Sequence, residues 1–433
     1  METYQIYGLI ALVVMAILGF PIYLSIFACA LIILVWGMDI DPIFPMGVMF
    51  SRLSNVTLLA IPLFIFLGQI LALCGAGQPL IRFLNAFLGH LPGGPAYALI
   101  FASVVVAAMC TSPIAAIAGF GPLIVPTLIA LGYSETFSIG LLIASASLAP
   151  LIPPNTIGIV YSFIASQGSD YISITTVWTG AIIPGLIVVF LLCGFVYFYS
   201  KRGHFQKLPP VTWAERWQSL KVAWPVIITP FAVLVPLYAG WATPTEVSAV
   251  GLVYVVLISA VFYRGVNPKN LWLSAYSTLR ILGAIFLIIS AATLLNIAFT
   301  YSMLPQNVTE YIADMGLSWW SFMLIMIVVY LIMGMFLDPS AIVLISVPLL
   351  LNTMNSLGID LVVFGVFCII AVNLAGMTPP YGLTIFASQS IMRKPYHTIV
   401  KACIMFLPAI FIGLILVAFI EPLSTWLPDV LDV

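Results

Sequence analysis

Long apolar stretches fill the chain, and short segments containing glycine, proline or charged residues separate them. The hydrocarbon core of a bilayer is about 30 Å thick, so a helix that crosses it needs roughly 20 mostly apolar residues. The first stretch is broken at Gly19, Phe20 and Pro21. The pattern predicts spans near residues 4–36, 55–75, 94–110, 112–131, 136–166, 177–200, 224–241, 245–263, 274–300, 319–337, 339–357, 361–391 and 399–420. It therefore predicts an all-α polytopic membrane protein.

Two parts of the chain are similar to each other at a constant offset of 226 residues, without a gap. The pairs that carry this similarity are Pro113 with Pro339, Ala115 with Ala341, Pro122 with Pro348, Leu131-Gly132 with Leu357-Gly358, Leu148-Ala149 with Leu374-Ala375, and Pro153-Pro154 with Pro379-Pro380. Leucine and alanine recur by chance in apolar sequences, but prolines at one fixed offset do not. We interpret the cores near 94–166 and 319–391 as copies of one unit.

The number of crossings between the copies sets their relative orientation. Five full crossings lie between the hairpins of the two copies, namely 136–166, 177–200, 224–241, 245–263 and 274–300. An odd number turns the second copy upside down, which is the inverted-repeat plan of many secondary transporters. The pattern thus predicts an inverted-repeat transporter.

The distribution of lysine and arginine predicts which ends of the helices face the cytoplasm. The longest polar loop, 201–223, contains five basic residues and is predicted to be cytoplasmic. Alternation from this loop places only Arg52 outside, provided that 94–131 and 319–358 each enter and leave on one face. These two segments are therefore predicted to be re-entrant helical hairpins.

The composition supports one transmembrane domain that covers residues 1–433. Of the 433 residues, 63% are hydrophobic and 6% are charged, and the mean hydropathy is +1.22. A soluble domain carries about 25% charged residues. The composition therefore excludes a soluble enzyme domain, a disordered chain and nucleic-acid binding.

Each copy places a Pro-Pro pair in mid-membrane, at Pro153-Pro154 and Pro379-Pro380. Two successive prolines remove two backbone donors and clash with the preceding turn, so each helix must break. A structural kink is the simpler interpretation of one pair, but two pairs at matching positions favour function. Freed carbonyls at a half-helix end suit Na⁺, and the opposing N-terminus suits an anion. Pro153 and Asn155 are therefore candidate ion ligands, and Asn155 and Thr378 are candidate substrate contacts.

The turn of each hairpin is the second candidate position. The first copy has Thr111 and Ser112 before Pro113, and the second has Asp338 before Pro339. A carboxylate within an apolar segment is costly, so Asp338 is either an ion ligand or a turn residue that reaches water. Its repeat equivalent Ser112 is a neutral oxygen ligand or a helix cap. With Thr111, these residues are candidate Na⁺ ligands, and Ser112 is also a candidate substrate contact.

Asn373 lies one turn before the second break and is a third kind of candidate. Its amide either touches the substrate or orients a carbonyl, or it is a buried group that a neighbouring helix satisfies. The sequence contains no Gly-x-x-x-x-Gly-Lys-[Ser/Thr] motif, so any transport would depend on an ion gradient rather than on a nucleotide. It predicts no enzyme activity, no cofactor, and no metal other than Na⁺.

Several motifs together resemble the large membrane subunit of the tripartite ATP-independent periplasmic (TRAP) transporters. The resemblance runs almost end to end and rests on residues 60–65, 89–94, 121–122, 153–154, 243–246, 334–339 and 378–383. Two positions depart from the family pattern, which often has Ser-Gly-Ser-Ser where this chain has Cys110-Thr111-Ser112-Pro113, and Pro-Pro-Ser where it has Pro153-Pro154-Asn155.

The resemblance implies a Na⁺-driven importer in the bacterial inner membrane. It implies an organic acid substrate delivered by a periplasmic binding protein, and a small four-helix membrane subunit as partner. It further implies elevator transport, with hairpins and broken helices moving as one block, and an ion site at the backbone of Gly376 and Thr378 near Asp338. Two alternatives stay open: a stand-alone ion-coupled organic anion carrier of related fold, and a membrane scaffold without transport activity.

Overall fold

The computed structural model describes residues 2–73, 75, 77–109, 111–167, 171–203, 205–263, 265, 267–380 and 382–431. The helices of the first half are α1 (Glu2–Ile17), α2 (Ile22–Leu31), a π-helix (Ile32–Gly37), α3 (Ile43–Leu53), a 3-10 helix (Val56–Leu59), α4 (Ala60–Leu73), α5 (Gly77–Leu88), α6 (Gly94–Ala107), α7 (Pro113–Ala130), α8 (Glu135–Ala146), α9 (Thr156–Ala165) and α10 (Ile174–Arg202). The predicted break in the first stretch is present, and Gly19 there has a φ of +82°.

The second half has the same kind of architecture. Its helices are α11 (Trp213–Tyr238), α12 (Pro244–Val261), α13 (Pro268–Tyr301), α14 (Leu304–Asp314), α15 (Trp319–Phe336), α16 (Pro339–Ser356), α17 (Leu361–Gly376), α18 (Leu383–Met392), α19 (Tyr396–Phe419) and α20 (Pro422–Leu431). Across the described ranges, nine helices are long and apolar enough to cross a membrane. The all-α polytopic fold is confirmed.

The repeat extends beyond the cores that the sequence reveals. Helices α7 and α16 have 18 residues each and begin at equivalent prolines. Both are followed by a glycine with positive φ, Gly132 at +92° and Gly358 at +67°. The same offset places α2 within α12, α4 within α13, and α5 within one residue of α14. Nearly the whole chain is therefore two copies of one arrangement.

Contacts between the two broken helices show that the copies are inverted. Lys394, just after α18, forms an ion pair of 2.5 Å with Glu135 at the start of α8. In the other direction, the hydroxyl of Tyr161 in α9 donates to the carbonyl of Leu361 at the start of α17. The start of each broken helix thus meets the end of the other. The two helices run antiparallel, and the predicted inversion is confirmed.

The copies exchange helices across their interface. Helix α9 packs against α16 of the other copy, and α18 packs reciprocally against α7. Likewise α8 packs against α19, and α10 against α17. At Gly140 a Cβ atom would collide with the carbonyl oxygen of Ala402, so the missing side chain lets α8 and α19 approach closely. The core is therefore shared between the copies.

Each hairpin begins and ends at one end of the bundle. The backbone N–H groups of Gln206 and Leu208 donate to Leu131 O at 3.0 Å and to Gly89 O at 3.1 Å, so one loop contacts both ends of the α6–α7 hairpin. We call this the basic end. Because Thr212 and Glu215 form a capping box that starts α11 at Trp213, the predicted loop 201–223 is shortened to 203–212.

The α15–α16 hairpin opens at the opposite end. Helix α19 runs from the basic end, where it follows Lys394, to Phe419, whose ring lies 6.0 Å from that of Trp319 at the start of α15. Thr353, near the end of α16, contacts Thr309 of α14 at 2.9 Å between the hydroxyl oxygens. The position of the bilayer along this axis stays a prediction.

Candidate functional site

The two hairpin turns and the two helix breaks meet around one cavity of about 310 Å³ in the middle of the bundle. The N-terminal residues of four helices line it, those of α7, α9, α16 and α18. Pro150 and the C-terminal part of α17 also line it, and residues of α4 and α13 form an apolar wall, namely Ile65, Ile281, Ala284, Ile285 and Ile288. The cavity therefore combines four polar helix ends with one apolar wall.

Asp338 is the one ionisable side chain among the described residues that line the cavity. It caps α16, since its Oδ1 accepts a hydrogen bond from Ser340 N at 2.9 Å. Ser112 caps α7 in the equivalent way, accepting from Ala115 N at 3.4 Å. Asp338 is half-buried. One carboxylate oxygen is thus committed to the helix, while the side chain still borders the cavity.

The second break forms a cluster of backbone carbonyls. Gly376 lines the cavity and ends α17, and Gly382 caps α18 after the break. A Cβ atom on Gly382 would collide with the Gly376 carbonyl oxygen and lie 3.0 Å from that of Thr378. Two carbonyl oxygens therefore converge on one small space. Hard cations such as Na⁺ bind oxygen ligands of this kind, so the residues present fit the ion.

The first break has a different chemistry. The side chain of Asn155 caps α9 by accepting from Gly158 N at 2.6 Å, and its backbone carbonyl accepts from Trp178 Nε1 at 3.1 Å. Its Nδ2 is buried without a hydrogen-bond partner among the described residues. The Thr156 hydroxyl is also buried without such a partner, and Thr156 lines the cavity. This side of the site therefore offers hydrogen-bond donors.

Asn373 connects the two breaks directly. It lines the cavity, and its Nδ2 donates to the backbone carbonyl of Ser147, which begins the first break. This bond fits two of the interpretations left open by the sequence, an amide that orients a carbonyl and a buried amide that a neighbouring helix satisfies. Because its position borders the cavity, contact with the substrate stays a prediction.

The structure brings together five of the eight candidate residues. Those that line the cavity are Thr111, Ser112, Asp338, Asn373 and Gly376. Pro153, Asn155 and Thr378 lie behind the lining, and the Thr378 hydroxyl donates to Leu374 O at 2.9 Å. Their ligand roles stay predictions. Thr156 and Thr384 also line the cavity and are not among the predicted residues, although a hydroxyl residue directly after a helix break is a usable signal.

An inverted repeat, two interrupted helices and a cavity at their crossing define a membrane transport protein. The chain belongs to the family of the DctM component of tripartite ATP-independent periplasmic transporters, whose model matches residues 9–423. The predicted resemblance is confirmed. The chain is thus a multi-pass protein of the bacterial inner membrane that serves transport rather than catalysis, as one component of a tripartite system.

Three relatives illustrate the range of the family. The C4-dicarboxylate TRAP transporter large permease protein DctM of Pseudomonas aeruginosa is 30% identical over 88% of both chains. The protein of the same name from Vibrio cholerae is 28% identical over 96% of both chains. The sialic acid TRAP transporter large permease protein SiaM of Vibrio cholerae is 27% identical over 95% of both chains.

Two solved transporter structures share the fold. The YdaH transporter of Alcanivorax borkumensis aligns with a TM-score of 0.61 and 15% identity over 87% of this chain and 90% of that chain. MtrF of Neisseria gonorrhoeae aligns with a TM-score of 0.63 and 10% identity over 88% of this chain and 84% of that chain. At these identities the similarity supports the architecture alone.

Proposed function

We propose that the chain is the permease subunit of a Na⁺-coupled importer for a small organic acid. The observation that carries this proposal is the convergence of four helix N-termini on one cavity of about 310 Å³. Helix N-termini carry unpaired N–H groups and a partial positive charge, which favour a bound anion. The volume lies near the lower limit of small-molecule sites, roughly 300 Å³, and therefore favours a small acid.

The position of Asp338 couples the anion to a cation. An ionised carboxylate beside the cavity repels an anionic substrate, and this repulsion is strong where little water screens it. A Na⁺ ion held by Asp338 and by the Gly376 and Thr378 carbonyls would remove the repulsion. Substrate binding then depends on Na⁺ binding, which is the thermodynamic requirement for symport.

The cavity borders α4 and α13 at positions that are not repeat equivalents, and this asymmetry supports elevator transport. The repeat equivalent of Ile65 is Ala291, yet the cavity contacts α13 at residues 281–288. With a rise of about 1.5 Å per residue, the contact is displaced by about 5 to 15 Å from the symmetric position. A block of hairpins and broken helices displaced toward one end of α4 and α13 accounts for this. Movement to the equivalent position on α4 would open the other end.

The tripartite family favours partners over a stand-alone carrier. We infer that the partners are a periplasmic substrate-binding protein and the small four-helix membrane subunit. Relatives named for C4-dicarboxylate and sialic acid carry acids, which agrees with the anion-favouring cavity. The stand-alone carrier and the membrane scaffold without transport activity are outcomes of the test described next.

The test is uptake into proteoliposomes. The binding protein is first screened against organic acids, and the acid that it binds most tightly is radiolabelled. We expect accumulation only with an inward Na⁺ gradient, the binding protein and the small subunit. Equal accumulation with a K⁺ gradient would contradict Na⁺ coupling. Accumulation without the binding protein would support the stand-alone carrier, and no accumulation with any partner would support the inert scaffold.

A further inference from the structure

A second and larger cavity, of about 810 Å³, lies at the end of the bundle opposite the basic end. Its walls come from residues 51–57, from the C-terminal part of α9, and from the N-terminal residues of α10 and α12. We call it the vestibule. Thr245, one of its lining residues, donates to Val56 O at 3.2 Å and so joins two of the walls.

The lining of the vestibule is polar and carries one kind of charge. Hydroxyl and amide side chains dominate it, among them Ser54, Asn55, Thr57, Ser166, Gln167 and Thr245. Among the described lining residues, Arg52 is the one charged side chain. The carboxylate of Glu246 lies outside this lining and caps α12, accepting from both the N–H and the hydroxyl of Thr243 at 2.8 Å. Arg52 is therefore the one formal charge on the described lining of the vestibule.

Helix α9 connects the vestibule to the central cavity. Thr156 at its start lines the cavity, whereas Ser162 and Ser166 near its end line the vestibule. The helix has 10 residues, so the two spaces are separated by about 15 Å. Gln167 is held by Asn296 of α13, whose Nδ2 donates to its Oε1 at 2.8 Å, and its Nε2 is buried without a described partner. Gln167 thus has an amide donor that no described residue satisfies.

The repeat supplies a control residue for Arg52. The offset of 226 residues pairs Ser54 with Arg280, and Arg52 with Thr278. Arg280 therefore lies within two residues of the position equivalent to Arg52. It is exposed on α13 and lines neither the vestibule nor the central cavity.

We propose that the vestibule is an anion-binding antechamber in which Arg52 holds a carboxylate group of the substrate before it reaches the central cavity. A guanidinium group binds a carboxylate through two parallel hydrogen bonds, and the surrounding hydroxyl and amide groups solvate the remaining oxygens. The antechamber rests on the proposed function for the identity of its ligand. Its field can be measured without any transport.

The experiment measures the potential with charged thiol reagents. A Ser54→Cys reporter in the full-length protein reacts with the anionic reagent sulfonatoethyl methanethiosulfonate and with the cationic trimethylammonioethyl methanethiosulfonate. The reaction of the native cysteines is subtracted using the parent protein. Arg52 should speed the reaction of the anionic reagent with the reporter cysteine and slow that of the cationic reagent. We therefore expect Arg52→Gln to lower the ratio of the anionic to the cationic rate by roughly tenfold at low salt.

Two further variants control this result. Arg280→Gln removes an exposed arginine that lies outside the vestibule lining and should leave the ratio unchanged, whereas Arg52→Lys should retain most of it. A ratio that Arg52→Gln does not alter would overturn the proposal. Labelling of the double variant Ser54→Cys with Arg52→Gln by both reagents also shows that the protein is folded and that the vestibule is accessible.

A ligand arm tests binding itself, with succinate as the probe carboxylate. Succinate should slow the anionic reagent at Ser54→Cys more than sodium chloride of equal ionic strength does, and Arg52→Gln should abolish the difference. Equal slowing by both salts would overturn the binding site. Because these readouts need no uptake, a failure of the antechamber is distinguishable from a failure of the transport proposal.

Discussion

Asn373 donates a hydrogen bond from Nδ2 to the backbone carbonyl oxygen of Ser147, and these two residues are 226 positions apart. They are therefore repeat equivalents that touch each other. In a structure with two-fold pseudosymmetry, equivalent residues can meet only at the symmetry axis. This contact thus marks the axis, and it places the two helix breaks side by side at the middle of the bundle.

Asn373→Ala should destabilise the protein. The substitution leaves the buried carbonyl of Ser147 without its donor, which costs about 1–3 kcal/mol. Thermal unfolding in detergent measures the loss as a lower Tm. Ser147→Ala is a control for the side chain, because it removes only the hydroxyl bond to Ala144 O and keeps the backbone carbonyl that accepts from Asn373. An unchanged Tm in Asn373→Ala would contradict the assigned bond.

Asp338→Asn should weaken the Na⁺ dependence of uptake. The neutral amide still caps α16 but no longer attracts a cation, and a loss of about 1.4 kcal/mol raises the half-saturating Na⁺ concentration about tenfold. Asp360→Asn serves as the control, since Asp360 is likewise an N-cap carboxylate but lies outside the cavity lining. If both variants keep the Na⁺ dependence of the parent, Asp338 does not hold the ion.

Gly382→Ala should impair Na⁺ binding through the backbone alone. The added Cβ collides with the Gly376 carbonyl oxygen and fills the space beside that of Thr378. We expect a higher half-saturating Na⁺ concentration in uptake assays. Gly194→Ala adds the same atom within α10, where nothing lies within 4 Å, and should behave as the parent. Normal Na⁺ dependence of Gly382→Ala would exclude this carbonyl cluster as the ion site.

Thr156→Val should separate substrate binding from stability. The hydroxyl has no described partner in the protein, so replacing it with a methyl group should keep or raise the Tm. If the hydroxyl donates to a substrate carboxylate, the KM for uptake rises about tenfold, which corresponds to about 1.4 kcal/mol. Thr179→Val removes a buried hydroxyl bonded to Thr175 O and should leave the KM unchanged. An unchanged KM in Thr156→Val would remove Thr156 from the site.

Tyr161→Phe and Glu135→Gln test the two contacts that join the ends of the broken helices. The hydroxyl bond from Tyr161 to Leu361 should contribute about 0.5–1.5 kcal/mol. The ion pair of Glu135 with Lys394 is exposed, at 41% and 40% of the side-chain surface, and screening reduces it to about 0–1 kcal/mol. Tyr161→Phe should therefore lower the Tm more. The reverse order would contradict this ranking.

The prolines made much of the fold predictable from the sequence. Pro113 and Pro339 start the second helix of each hairpin, and the two Pro-Pro pairs interrupt the helices, because proline excludes continued helical hydrogen bonding there. Since prolines keep their spacing in both copies, the repeat and its inversion could be predicted as well. Asp338 and Ser112 could also be predicted as helix caps or ion ligands, because each directly precedes the proline that starts the second helix of its hairpin.

Other features depend on tertiary contacts that periodicity does not encode. Helices α3, α5, α14 and α20 were not predicted, because they are short and mix polar with apolar residues. The amide oxygen of Asn155 caps α9, which the sequence pattern does not predict, and the ligand role of Asn155 stays a prediction. The exchange of α9 and α18 between the copies cannot be predicted from local sequence, since only the assembled core defines it.

The exchange of helices has a consequence for the integrity of the chain. Because α9 completes the packing of α16 and α18 that of α7, neither half encloses a finished core by itself. A half-length ancestor would have required a second identical molecule, inserted head to tail in the lipid. Today one covalent connection, the loop 203–212, replaces that dimerisation. Two polypeptides severed within this loop and produced together should reassemble into a functional permease, whereas either alone should be degraded.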